Sequence, residues 1–208
     1  MGITIHYKGK IKDLTLIPRL QEEFIDIAKT LKWKYHLWNE DLTKPMDISI
    51  QETRKGTEVE GHVPLQGIAL QVEKKVETLD FLFNADGHLT SLINQIFDPE
   101  TQRKKKPTWI HVKTQFGSVH AHIAIVKLLK YLKKRYVPDL EVRDEGEYWE
   151  KEDKNRLLEM RGFLFNKINQ LSDAISSVGT TEEMSKEDLI VQIELILKKY
   201  LDKGGKES

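Results

Sequence analysis

The chain has 208 residues, a length that favours one domain of ordinary size with an appended segment. Its 33 lysine and arginine residues balance 33 aspartate and glutamate residues, and the resulting formal net charge of zero disfavours a main partner that is nucleic acid or an anionic membrane. The chain has no cysteine, which excludes disulfides, thiolate metal sites and cysteine nucleophiles.

The sequence predicts no targeting or membrane-spanning segment. Residues 1–6 lack the basic region and apolar run of a signal peptide. No apolar run approaches the length needed to cross a bilayer. We therefore expect a cytoplasmic protein without a membrane partner.

The first part of the chain predicts a strand, a helix and a second strand. Residues 3–8 alternate between apolar and polar side chains, which is the period of a half-buried strand. From Asp13 to Leu31 the apolar residues recur at helical spacing. Residues 34–38 form the second predicted strand, and a polar turn follows it.

The middle of the chain is predicted to be rich in strands. Alternating apolar side chains indicate strands at 46–50, 68–72 and 79–83. Residues 84–87 predict a hairpin turn, because the glycine at its last position readily adopts a positive φ. Residues 98–107 carry prolines and charged side chains and predict a loop.

A second strand–helix–strand unit follows. Residues 109–113 alternate, and the apolar positions of 119–136 indicate a helix that Pro138 ends. Residues 140–143 form the next predicted strand.

The two units predict an internal repeat. The sequence Ile-His-Tyr-Lys at 5–8 and the sequence Ile-His-Val-Lys at 110–113 occupy matching places in their units. We therefore predict a repeat of residues 3–41 and 108–149, with the first strand of each unit in one mixed β-sheet and both helices on one face of it.

Two helices with continuous apolar stripes are predicted at 151–178 and 185–202. Because burying one leucine stabilises a protein by about 1.5–3 kcal/mol, these apolar stripes are expected to pack against other apolar surface. The helices can fold into a hairpin, and the uncovered part of the longer stripe would meet the first domain or a second copy in a homodimer. The expected fold is α+β, with an α+β domain at 1–150 and a helical appendage with a disordered tail at 151–208.

The second unit brings the loops at 117–122 and 144–149 to one edge of its sheet, because a helix that returns the chain leaves its two strands parallel. These loops contain two histidines and three carboxylates. Imidazole and carboxylate groups suit a divalent transition metal such as zinc, manganese or iron. On a helix, residues two apart point to nearly opposite sides, so His120 and His122 both serve as ligands only if residues 120–122 are extended. The alternative is that the histidines are exposed and pair loosely with a solvated acidic loop. The predicted metal ligands are His120, His122, Asp144, Glu145 and Glu147.

The strand at 109–113 also predicts a polar face directed away from its helix. A polar face with an aromatic side chain suits a small molecule or a peptide, unless it is simply a wetted sheet or is covered by the C-terminal helices. The predicted ligand-binding residues are Trp109, His111, Lys113 and Gln115 on this face, with Tyr148 and Trp149 from the following loop.

Two functional hypotheses follow, and neither assigns a catalytic residue. The first is a binding or regulatory protein that recognises a small molecule or a protein partner at the polar sheet edge. The alternative is a metal-assisted hydrolase that uses His120 or His122 with His111 and one of the carboxylates. Basic residues at 103–106 could contact phosphates, but nearby acidic residues cancel much of their field and disfavour nucleic acid. The chain also lacks a phosphate-binding glycine loop, a nucleophile elbow, a zincin helix and a dinucleotide fingerprint.

Overall fold

This computed structural model of the protein describes residues 3–53, 56–97, 108–163 and 166. As far as Glu159, the described residues belong to one compact unit with the predicted α+β fold. Its strands and helices are β1 (Thr4–Lys8), α1 (Ile17–Leu31), β2 (Lys34–Asn39), β3 (Asp47–Thr53), β4 (Gly56–His62), β5 (Gln66–Gln71), β6 (Leu79–Phe83), β7 (Leu89–Thr90), α2 (Leu92–Phe97), β8 (Ile110–Lys113), α3 (Val119–Arg135), β9 (Glu141–Asp144) and α4 (Tyr148–Lys151).

Some predicted features fall on residues that are not described. The predicted loop at 98–107 lies outside the described residues. Of the two predicted C-terminal helices, the structure describes helix at residues 154–163. Residues 151–153 are also described: residue 151 ends α4, and residues 152 and 153 are not helical. Residues 164–165 and 167–178 of the first predicted helix lie outside the described residues, as do the second helix, the hairpin and the dimer surface assigned to them.

A three-stranded sheet has the order β8-β1-β9. Since β1 pairs antiparallel with both neighbours, β8 and β9 run parallel to each other, as predicted for the second unit. The first strand, β1, lies between them. Every strand pair among the described residues is antiparallel, so antiparallel sheets take the place of the mixed sheet that was predicted.

The first unit has a different sheet arrangement from the second. Strands β1 and β8 do lie in one sheet, with Tyr7 opposite Ile110 and Ile5 opposite Val112. Strand β2, however, pairs with β5 in a separate four-stranded sheet of order β2-β5-β6-β7. Because β8 and β9 occupy both edges of β1, β2 cannot pair with β1. The described residues therefore do not support a repeat in which each unit keeps its two strands in one sheet.

One main core joins α1 and α3 to the buried faces of both sheets. Helix α1 has Pro18 in its first turn, where the missing N–H costs no helical hydrogen bond, and it ends at Lys32 in the left-handed conformation. Helix α3 begins at Ser118, whose hydroxyl accepts from the backbone N–H of Ala121. The buried residues of the two helices include Leu20, Phe24, Ala28, Ala121, Ile125, Leu129 and Leu132.

The two helices are also joined by a polar contact. The Glu23 carboxylate in α1 accepts hydrogen bonds from the hydroxyls of Tyr131 and Tyr136 and from the guanidinium of Arg135, which lies 2.8 Å away. Partial burial raises the pKa of Glu23, but these donors outweigh it and lower the pKa to about 2. The carboxylate therefore stays charged and holds α1 against the end of α3.

A second apolar cluster covers the opposite face of the four-stranded sheet. Strand β6 sends Leu79, Phe81 and Phe83 into the main core, so its alternate residues, Asp80 and Leu82, lie on the other face. Leu82 packs there in a cluster with Val63, Leu65 and Ile96. Asp80 is thereby the polar residue of β6 on the face that α2 partly covers.

The hairpin turn predicted at 84–87 is confirmed. Gly87 has a φ of 79°, and its N–H donates to the carbonyl of Asn84 over 2.9 Å. In the part of the chain that the structure describes, no helix combines the length and the apolar character needed to span a bilayer.

Candidate functional site

The predicted metal ligands His122 and Asp144 form a buried pair. His122 Nε2 lies 3.1 Å from Asp144 Oδ2, and both side chains are shielded from solvent. Asp144 also accepts from the backbone N–H groups of Gly146, at 2.7 Å, and Trp149, at 2.9 Å. Burial raises the pKa of Asp144, but His122 and the two backbone donors outweigh it and hold the pKa below its ordinary value.

The other ring nitrogen of His122 contacts a threonine. Thr114 Oγ1 lies 2.8 Å from His122 Nδ1 and 3.2 Å from the carbonyl oxygen of Ile3. Thr114, His122 and Asp144 thus contact one another in the same order as the nucleophile, base and acid of a catalytic triad. Thr114 is fully buried, however, so no substrate can reach its hydroxyl. The three side chains therefore act as a structural tie between the end of β8, the first turns of α3 and the end of β9.

The remaining predicted metal ligands lie apart from this pair. His120 Nε2 is 3.4 Å from Lys154 Nζ, and Glu147 pairs with Lys151 and Arg156. Glu145 accepts from the backbone N–H of Thr4 over 2.9 Å. In the described ranges, no three histidine, cysteine, aspartate or glutamate side chains are placed to hold a metal ion. The structure thus does not bring the five predicted ligands together as a metal site.

The predicted ligand-binding face is partly formed. In β8, Ile110 and Val112 are buried while His111 is exposed, which matches the predicted alternation. Trp109 already contacts two cations, with Lys8 Nζ 4.8 Å and the Arg143 guanidinium 4.6 Å from its ring centre.

The other residues predicted for this face have mainly structural contacts. Lys113 donates its backbone N–H to Glu77 Oε2 over 2.7 Å. Tyr148 and Trp149 pack against the main core, and the backbone N–H of Trp149 is one of the donors to Asp144. Gln115 is half-buried. Of the predicted ligand-binding residues, His111 lines the cavity formed by described residues.

This cavity has a volume of about 390 Å³ and lies where the start of β6, the first turn of α2 and the edge of β8 meet. Its size is within the range of small-molecule sites. The residues that line it are Gln71, Val76, Glu77, Thr78, Asp80, Ser91, Ile93, Asn94 and His111. Except for His111, all were missed by the sequence reasoning.

Asp80 is held in the cavity wall by its backbone. The neighbouring strand β7 pairs only with Leu82 and Phe83 of β6, so it does not reach Asp80. The Tyr7 hydroxyl takes its place, donating to the Asp80 carbonyl over 2.9 Å and accepting from the Asp80 N–H over 3.2 Å. Burial and the nearby Asp80 charge raise the pKa of Tyr7 well above its ordinary value, so the hydroxyl keeps its proton.

The Asp80 carboxyl group is the chemically distinctive group of the cavity. Among the described residues, it has no hydrogen-bond or ion-pair partner. Burial raises its pKa from 3.8 to about 7. A desolvated carboxyl group that titrates near neutral pH in a cavity is typical of functional sites.

Short polar contacts fix the other walls. Ser91 begins α2, and its hydroxyl accepts from the backbone N–H of Asn94 over 3.1 Å. The Asn94 side-chain amide then donates to the carbonyl of Trp109 over 3.3 Å, which joins α2 to β8. Glu77 binds both backbone groups of Lys113, and this contact joins the loop before β6 to the same strand.

Comparisons of the chain with protein-family models, with curated proteins and with solved structures each found no match. The residues of the cavity are therefore the features of the protein that bear on its function.

Proposed function

We propose that this protein is a binding protein that recognises a small polar molecule in the cavity between β6, α2 and β8. The unpaired, partly buried carboxyl group of Asp80 is the observation that supports this proposal most strongly. Keeping an ionisable group out of water without a partner costs free energy. A ligand that pairs with the group would recover that cost.

The shape and polarity of the site favour a small molecule over a protein partner. A cavity lined by a few convergent polar groups and some apolar surface is the usual form of a small-molecule site. The exposed side chain of Ile93 supplies apolar surface, and the half-buried side chain of Gln71, at the end of β5, supplies polar surface. His111, at the edge of β8, is well placed to contact the ligand at the solvent side.

Replacing His111 with tryptophan should reduce ligand binding, because the larger ring would occupy part of the cavity. A screen of small polar metabolites by thermal shift on the full chain would identify binders. We expect any such binder to lose about tenfold or more in affinity for the His111→Trp variant, as expected when a ligand loses its space in a site.

The matched control is His36→Trp, since His36 is also an exposed strand histidine but lies in β2, outside the cavity lining. Binders should keep their affinity for this variant. Either no binder in the screen, or binders that lose affinity equally in both variants, would refute a ligand site in the cavity.

A further inference from the structure

We infer that the ligand of this cavity is a small organic cation whose primary ammonium group pairs with Asp80. This inference rests on the proposed function and specifies the chemical class of the ligand. Two independent features of the lining support it: its charge, and the way in which its hydrogen-bond donors are already used.

The charge of the lining favours a cation. The described residues that line the cavity include two carboxyl groups, Asp80 and Glu77, one imidazole, that of His111, and no lysine or arginine. Glu77 accepts a backbone N–H from Lys113, whereas Asp80 has neither a donor nor a counter-charge among the described residues. An anionic ligand would be repelled by both groups, while an ammonium group would form a charge-assisted hydrogen bond with Asp80.

The use of hydrogen-bond donors leads to the same ligand class. The amide of Gln71 donates to the carbonyls of Glu73 and Val76, and that of Asn94 donates to Trp109. The Thr78 hydroxyl donates to Gln71 Oε1. Gln71, Asn94 and Thr78 thus use donors within the protein, while the Asp80 carboxylate and Asn94 Oδ1 remain as acceptors; the Ser91 hydroxyl and the His111 ring are the other donors in the lining. An ammonium group, with three donors and no acceptor, complements such a set.

The affinity for an ammonium ligand should depend on pH. Burial raises the pKa of Asp80 to about 7, so the carboxyl group is mostly protonated at pH 5 and mostly ionised at pH 8. Only the ionised form pairs with a cation. We therefore expect binding to weaken as the pH falls below about 7, by up to about tenfold for each pH unit.

The test is calorimetric titration of the full chain with putrescine, butanediol and succinate. The three share a four-carbon chain and end in ammonium, hydroxyl and carboxylate groups respectively. Putrescine should bind at pH 8, and the other two should bind more weakly or not at all. The Asp80→Asn variant should bind putrescine about tenfold to a hundredfold more weakly, the range expected for loss of a charge-assisted hydrogen bond. The control, Asp26→Asn, removes the same charge from an exposed position on α1 and should bind normally.

The possible outcomes separate this inference from the proposed function. If butanediol or succinate binds with an affinity that His111→Trp lowers, and putrescine does not, the cavity is a ligand site but the ammonium inference is wrong. The inference also fails if Asp80→Asn and Asp26→Asn reduce putrescine binding equally, because the attraction would then be a general effect of charge. If none of the three probes binds and the metabolite screen finds no binder, the inference and the proposed function both fail.

Discussion

Replacing His122 with alanine is expected to lower the free energy of unfolding by about 3–5 kcal/mol, because a buried carboxylate loses a hydrogen-bond donor and the buried ring leaves a cavity. The change removes the imidazole donor from Asp144 and leaves that carboxylate in the protein interior with two backbone donors. The change also opens a cavity beside Gly146, which packs tightly against the ring. A Cβ added to Gly146 would lie 2.9 Å from His122 Cε1 and 3.0 Å from His122 Nε2. Urea unfolding at neutral pH would measure the loss.

His120→Ala is the matched control, because His120 lies on the same helix but is exposed. Its effect should stay within about 0.5 kcal/mol, as is usual for surface positions. Equal effects of the two changes would show that the contacts between Thr114, His122 and Asp144 are not a stabilising tie. Because the pKa of Asp144 is lowered in the folded protein, its contribution should be present above its ordinary pKa of 3.8 and should be lost as the pH falls below that value.

Asp80→Asn is expected to stabilise the protein at pH 8 by about 1–3 kcal/mol relative to the unchanged chain, allowing for the partial exposure of Asp80. The raised pKa means that ionising Asp80 costs more in the folded protein than in the unfolded chain. Asparagine has nearly the same shape and no charge to bury. Thermal or urea unfolding without ligand would measure the difference.

The pH dependence of this difference follows from the direction of the shift. Between about pH 4 and pH 7 the folded protein holds a proton on Asp80 that the unfolded chain releases, so stability falls as the pH rises through this window. The gain from Asp80→Asn should therefore grow from pH 5 to pH 7 and then level off. Other titrating groups are common to both proteins, so their effects cancel. A difference that stays constant over this window would show that Asp80 has an ordinary pKa.

Local periodicity was sufficient to predict most of the regular structure. The strand β1 and the helices α1 and α3 lie where the alternation and the helical spacing indicated. Strand β4 was missed because Val59 is its one aliphatic side chain, so β4 itself has no apolar alternation to detect, unlike its partner β3. Helix α2 was missed because its six residues are too few to show a helical period.

The pairing of the strands could not be predicted in the same way. The insertion of β1 between β8 and β9 depends on contacts between residues far apart in the sequence, such as Tyr7 with Ile110 and Val142. Apolar alternation identifies which face of a strand is buried, but it does not identify the neighbouring strand. The predicted mixed sheet and the predicted repeat both depended on that missing information.

The candidate site shows the same division between local and distant information. The expectation that His120 and His122 would point to opposite sides of a helix is confirmed, since one is exposed and the other buried. Asp80, in contrast, lies between the apolar residues Leu79 and Phe81, and this alternation predicts an ordinary solvent-facing side chain. Its burial depends on α2 and β8, which are distant in sequence, and no local pattern indicated it.

The most direct test of the ligand-binding proposal is to map bound molecules by ¹H–¹⁵N NMR on the isotope-labelled full chain. A library of small polar fragments that includes putrescine would be titrated at pH 8, where Asp80 is mostly ionised. The proposal predicts that the amide shifts caused by binders concentrate on Thr78, Asp80, Asn94 and His111, around the cavity. Shifts that concentrate on another surface, or a library without any binder, would contradict it.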